Sequence, residues 1–253
     1  MKKVKELIDK HCKEHKIDLQ LGLTEWLDFL VDFFDYSHIL KEDFTIEKHI
    51  EDMKEKSEPL CRAMLEWLQQ VTYTMDKGGW IDFFGTLYEK EYQTSGKRDK
   101  HAQFFTPPSL CDLMSELMEI NTDGNNKKYV NDCACGSGRT LLSHFAKSED
   151  KKMYYIGEDN DLTSVKMCAL NMMIHGMRGQ VVFHDTLAEP NNYDFGFEVN
   201  EVRYPIPVPY YSLRVIKKPK KENSKEEVKE DNKEMNKEKS SPKQKFQGDL
   251  FDF

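Results

Sequence analysis

The chain has 253 residues, enough for one large domain or two small ones with a buried core. It is 38% apolar and 32% charged, and 37 Lys and Arg against 45 Asp and Glu leave a net charge of −8, which excludes a protein that coats duplex DNA through bulk charge. No apolar run approaches the roughly 18 residues of a membrane span and the opening MKKVKELIDKHC lacks a secretory h-region, while six cysteines without CxxC spacing fit a reducing cytoplasm better than a disulfide scaffold or a zinc ribbon.

Residues 1–93 read as a helical domain. Glu25 to Phe34 places Trp26, Leu27, Leu30, Val31 and Phe34 at helical spacing, with Thr24 as the expected N-cap. Pro59 suits a first helical turn. Leu60, Met64, Trp67, Leu68, Val71 and Met75 then repeat at threes and fours until Gly78-Gly79 stops the helix, and a further helix is expected from Ile81 to about Tyr92. These aromatics are read as bundle core.

Beyond a polar stretch, Thr94 to His101, the pattern over 94–216 changes to α/β. Lys128 to Asn131, Lys152 to Ile156 and Gln180 to Phe183 are strand candidates, alternating with helices at Thr140 to Ala146 and Leu162 to His175. Strand and helix in that order predict a parallel α/β sheet. From Lys217 to Lys245 the chain carries eleven Lys and seven acids, with Val228 and Met235 as its apolar residues. Such a segment cannot offset its ordering entropy and is expected to be disordered. Residues 1–216 alone carry −10.

Chemistry is expected at the ends of the three strands. The first runs into Asp132-Cys133-Ala134-Cys135-Gly136-Ser137-Gly138, where glycines let a ligand approach the backbone at a helix N-terminus. Asp159 ends the second strand, 27 positions on, where nucleotide binders place an acid for ribose hydroxyls, and Asp185 follows the third. Cys133, Cys135 and His144 supply only three candidate metal ligands and lack a second pair, so no metal is expected.

These segments, together with Gln103-Phe104-Phe105-Thr106-Pro107, Asn171-Met172-Met173-Ile174-His175-Gly176 and His184-Asp185-Thr186-Leu187, resemble the adenine-specific DNA methyltransferases, most of all the modification subunits of type I restriction–modification systems. The resemblance covers about residues 80–190. It implies a partial Rossmann-like, S-adenosylmethionine-dependent methyltransferase sheet after the helical domain. It further implies that Phe105, Thr106 and Pro107 lie near the methionine part of the cofactor and that Asp132, Gly136 and Gly138 line its methionyl and ribose region. Asp159 would bind the ribose and Asp185 the adenine amine. Cys133, in the same loop, stands where the family has proline.

The family's Asn/Asp-Pro-Pro-aromatic segment, which draws protons from the target amine and stacks on the flipped base, does not occur in the sequence. Tyr193 to Tyr211 offers Asn200, Tyr204, Tyr210 and several prolines in about the right place. The catalytic residues therefore stay unknown, and the resemblance implies DNA as a partner reached through a second protein, a catalytic or specificity subunit. Residues 246–253 hold Gln247-Gly248-Asp249-Leu250-Phe251, similar to the peptide by which bacterial proteins dock on the replicative sliding clamp: Leu250 and Phe251 fill an apolar pocket and Gln247 hydrogen-bonds beside it. A 29-residue coil before it spans roughly 30 Å r.m.s.. A non-catalytic, clamp-tethered accessory of replication or of a mobile element is the alternative reading.

Overall fold

The structure, a computed structural model, describes residues 1–92, 105–120, 129–187, 193, 195–201 and 212–217. Helix α1 (Lys2–His15) buries Val4, Ile8 and Cys12. Helix α2 (Leu19–Phe33) starts earlier than its apolar spacing predicts, because its N-cap is Asp18, whose carboxylate accepts the Leu21 N–H at 2.9 Å. Leu19 and Leu21 of that first turn face outward and show no inward period, and Thr24 lies inside the helix, its hydroxyl donating to the Gln20 carbonyl.

Helix α3 (Ile46–Lys56), not expected from the sequence, is capped by Thr45; α4 (Glu58–Asp76) is capped by Ser57 and has the expected Pro59 in its first turn. The helix expected from Ile81 to Tyr92 is shorter: α5 (Phe83–Leu87) is capped by Asp82 and passes into a π-helical turn over Tyr88–Tyr92. The side chains of Trp26, Trp67, Phe83 and Phe84 are fully buried, and the Phe84 ring centroid lies 5.5 Å from that of Trp26 and 5.1 Å from that of Trp67.

Helix α6 (Pro108–Ile120) precedes the sheet. Strands β1 (Tyr129–Asp132), β2 (Tyr154–Asp159) and β3 (Arg178–Phe183) alternate with helices α7 (Arg139–Lys147) and α8 (Leu162–Ile174) and pair in parallel, Asp132 opposite Gly157 and Asp159 opposite Phe183. The expected parallel core is there, and two strands join it antiparallel: β4 (Phe195–Val199) on β3 and β5 (Leu213–Lys217) on β4, giving the order β1-β2-β3-β4-β5. Lys217, expected to open the disordered tail, ends β5. The rest of the tail, with Gln247, Leu250 and Phe251, lies outside the described residues, as do Gln103, Phe104 and Lys128.

The sheet is two-sided in chemistry. Tyr155, Gly157 and Val181 point into the core, whereas Glu158, Gln180 and Glu198 are only half-buried on the opposite face. Helix α8 is buried at every residue from Ser164 to Ile174, because it lies between β2 and β3 on one side and α2 and α5 on the other. The helices and the sheet thus share one hydrophobic core within a unit spanning Met1–Lys218. Beyond β5 the Leu213 N–H donates to the Phe34 carbonyl at 2.9 Å, and Asp35 bridges to the strand, so the end of α2 covers that sheet edge. On the β1 side no partner strand is present among the described residues, and Leu110, Leu113, Met114 and Met118 of α6 are 41–50% exposed. No described helix is long and apolar enough to cross a membrane.

A shared core predicts shared unfolding. Phe84→Ala is expected to cost about 3–5 kcal/mol, and circular dichroism and tryptophan fluorescence should report one transition lowered together. Separate helical and sheet transitions would refute the single core.

Candidate functional site

The tips of the three parallel strands are tied to one another by backbone groups. The Cys135 N–H donates to the Glu158 carbonyl at 2.9 Å, and the Gly136 N–H to Asp159 Oδ2 at 2.8 Å. The His184 N–H donates to the Asp159 carbonyl at 3.1 Å, and the Thr186 hydroxyl to the Cys133 carbonyl at 3.1 Å. Asp159 Oδ1 also accepts the Asp161 N–H at 2.9 Å. Burial raises the Asp159 carboxyl above its ordinary value, although the Asp161 and Gly136 amides pull it back. Gly136 sits at φ 53°, and a Cβ there would come within 3.1 Å of the Phe105 ring. The aromatic can rest on the loop because the loop has no side chain at that point.

Beside this loop lies a cavity of about 360 Å³, whose walls include Phe105, Thr106, Asp132, Cys133 and Gly136 together with Met114, Met118 and Val130. Its size suits a small-molecule cofactor. Asp132 is held at its rim, accepting the Ala134 N–H at 3.1 Å and the Thr140 hydroxyl. Five of the nine residues expected around a cofactor therefore line one hollow. Of the other four, Gly138 N-caps α7, and Pro107 is exposed just before α6. Asp159 meets the loop through Gly136 without lining the cavity. Asp185 is exposed past β3, its Oδ1 accepting the Leu187 N–H at 3.0 Å.

Cys133 and Cys135 diverge. Cys133 is exposed, whereas Cys135 is buried against Cys168, and that contact together with burial pushes its thiol well above the ordinary range. His144 Nδ1 lies 3.2 Å from the Tyr155 hydroxyl. Asn200, weighed above for the base pocket, is committed elsewhere. It sits at φ 52°, its amide donates to the Met173 and Met177 carbonyls at 2.9 and 2.8 Å, and its oxygen accepts the Ser212 N–H at 3.1 Å. Tyr204 and Tyr210 lie outside the described residues.

The centre that sequence reasoning misses is Asp82, 3% exposed. Its carboxylate accepts the Gly85 N–H at 2.8 Å, the Ser137 hydroxyl at 2.6 Å, Arg139 Nε at 2.8 Å and Asn171 Nδ2 at 2.8 Å. Arg139 donates further to Glu89 and to the Thr106 carbonyl, both at 3.0 Å. Burial works against the Arg139 charge, but Glu89 and Asp82 outweigh it and the guanidinium is held more firmly protonated than usual. Two signals point to this centre: an aspartate three positions before Gly85, where an N-cap belongs, and an arginine in the first turn of α7, where the helix dipole disfavours a cation.

The family model for N-6 DNA Methylase matches residues 47–246, more than three quarters of the chain. The chain belongs to the N-6 DNA methylase family. The match opens in α3, well upstream of the motifs that first suggested it. The methylase subunit of the type I restriction enzyme MjaIX from Methanocaldococcus jannaschii is 26% identical over 126 residues, 46% of this chain and 21% of that protein. The methyltransferase subunit of a type I restriction–modification system from Streptococcus thermophilus aligns in structure over 36% of this chain and 22% of its own, with 24% identity and a TM-score of 0.32. The chain thus spans about a fifth of the length of these relatives.

The family segment Asn171-to-Gly176 also carries a titrating group. His175 Nε2 accepts the Ile81 N–H at 3.3 Å, so Nδ1 bears the proton and donates to the Asn171 carbonyl at 2.7 Å. Burial pushes the imidazole down to about 4, with the Asn171 bond opposing. The fold therefore excludes a proton that the unfolded chain takes up near its ordinary value of 6.5. Its stabilisation is complete above that value and is lost as pH falls towards 4, in total on the order of 3 kcal/mol. Urea unfolding followed across that window should show wild-type stability falling with pH more steeply than that of His175→Gln; parallel profiles would rule out the assignment.

Proposed function

We propose that the chain is a cytoplasmic, S-adenosylmethionine-binding subunit of an adenine N6 DNA methylase that transfers no methyl group by itself. The observation that carries the reading is the bond from the Gly136 amide to Asp159, which joins two strand tips beside the cavity walled by Phe105 and Thr106. When bound there, S-adenosylmethionine supplies an electrophilic methyl group. In this reading Phe105, Thr106 and Pro107 flank the methionyl end, and Asp132, Cys133, Gly136 and Gly138 form the floor. Asp159 takes the ribose hydroxyls, and Asp185 takes the adenine amine.

The inactivity follows from chemistry the sequence does not hold. Drawing protons from an exocyclic amine needs fixed acceptors and a stacking aromatic. The chain has no Asn/Asp-Pro-Pro-aromatic segment, and the amide of Asn200 is fully engaged. A catalytic or specificity subunit would supply these groups and the contact with DNA. The β1 side favours this, with no partner strand among the described residues, and so do the exposed Leu110 and Leu113 of α6, which do not line the cavity.

Calorimetry is expected to show S-adenosylmethionine binding that weakens about tenfold or more in Asp159→Ala. No heat with the wild type would remove the cofactor assignment. Tritiated methyl transfer to adenine-containing DNA should stay at background for the isolated chain, and robust incorporation would overturn the inactivity.

One sequence observation favours a second reading, in which the chain is a clamp-tethered accessory: Gln247, Leu250 and Phe251 follow the Lys/Glu-rich segment in the docking pattern. The peptide Phe246–Phe253 should then bind a bacterial sliding clamp at micromolar strength and lose binding in the double variant Leu250→Ala, Phe251→Ala. Equal binding by the variant would discard the tether.

A further inference from the structure

We propose that Arg139 is a positioning residue of the cofactor site, a clamp that presses the Phe105–Thr106 wall onto the Gly136 loop and ties it to the N-terminal helices. The inference rests on reading the cavity as the cofactor site. Arg139 opens α7 and is 4% exposed. A cation at a helix N-terminus opposes the helix dipole, and burying it costs desolvation, so local rules disfavour arginine here. Two carboxylates offset that cost, Asp82 at 2.8 Å and Glu89 at 3.0 Å.

The remaining donor explains the choice of side chain. Guanidinium nitrogens lie in one plane with fixed directions. With Nε on Asp82 and Nη2 on Glu89, Nη1 is aimed at the Thr106 carbonyl, 3.0 Å away. The guanidinium carbon lies 5.5 Å from the Phe105 ring centroid, and Tyr88 meets the same ring edge-on at 6.1 Å. Phe105 is therefore held by Arg139, Tyr88 and the bare Gly136 backbone. A lysine keeps the charge but cannot reach three chain segments with one ammonium.

Cys111 gives a readout of the clamp alone. Its thiol is fully buried beneath the same wall, donating to the Thr106 carbonyl at 3.7 Å, and burial pushes it up to about 11. Cys61 is buried in the N-terminal core and reports general loosening. In Arg139→Lys the chain should melt cooperatively, maleimide labelling of Cys111 should speed up about tenfold relative to Cys61, and S-adenosylmethionine affinity should fall about tenfold. An unchanged Cys111 rate in the folded variant, or equal acceleration at Cys61, would overturn the clamp. If Arg139→Lys does not fold, Glu89→Gln removes one anchor while sparing the Asp82 and Thr106 contacts, and a roughly threefold rise in the Cys111-to-Cys61 ratio is expected; no rise would refute the proposal. A wild-type chain that gives no heat with S-adenosylmethionine defeats the cofactor reading, and the labelling ratio still decides whether Arg139 holds the wall.

Discussion

The architecture turns on one buried carboxylate. Asp82 caps α5, and through Ser137, Arg139 and Asn171 it also fixes the glycine loop, the start of α7 and the middle of α8. Its four donors come from three segments, Gly85 in its own helix, Ser137 and Arg139 at the start of α7, and Asn171 in α8, so the geometry forms only when all are in place. A carboxylate with that many donors is well satisfied, whereas any one donor left behind would be a buried polar group without a partner. Close approach is part of the same arrangement, because a Cβ at Gly85 would come within 2.1 Å of the Asp82 carboxylate and 2.4 Å of the Ser137 hydroxyl. The loop that faces the cavity is therefore positioned from behind, by the helical half of the molecule.

This explains why the helices belong with the sheet. Composition and periodicity separate residues 1–93 from the α/β part, and that contrast is real at the level of elements. It says nothing about packing. Helix α8 alternates no polar face because it has none to show, lying between the sheet and α2. With Trp26, Trp67 and Phe84 on one side of it and Tyr155 and Val181 on the other, the core is continuous.

What could be read from the sequence follows the range of the interactions involved. The three parallel strands, the helices between them and the loop from Asp132 to Gly138 are set by local alternation and by glycines, and the structure reproduces them within a few residues. Five of the expected residues meet at one hollow because the glycine loop after β1 packs against Phe105 just before α6, whereas Asp159 and Asp185, at the ends of β2 and β3, do not line it. The first turn of α2 escapes notice because its leucines face outward, and β4 and β5 escape because they lean on tertiary partners. Asn200 turns the chain between them at positive φ only with its amide anchored on the end of α8. Asp82 and Arg139 are the extreme case, since a pair 57 positions apart leaves no periodic trace.

The two sides of the sheet are finished differently. Beyond β5, the Phe34 carbonyl and Asp35 occupy the outer strand edge, an arrangement that blunts the tendency of open strands to recruit others. At β1 no such cover is present among the described residues, and helix α6 is apolar on two sides: Cys111 and Met114 line the cavity, and Leu110 and Leu113 face out. A helix with two apolar faces is built to be covered twice. The loop after β1 is thus fixed from within the chain, by Asp82 and its donors, whereas the outer face of α6 stays exposed among the described residues.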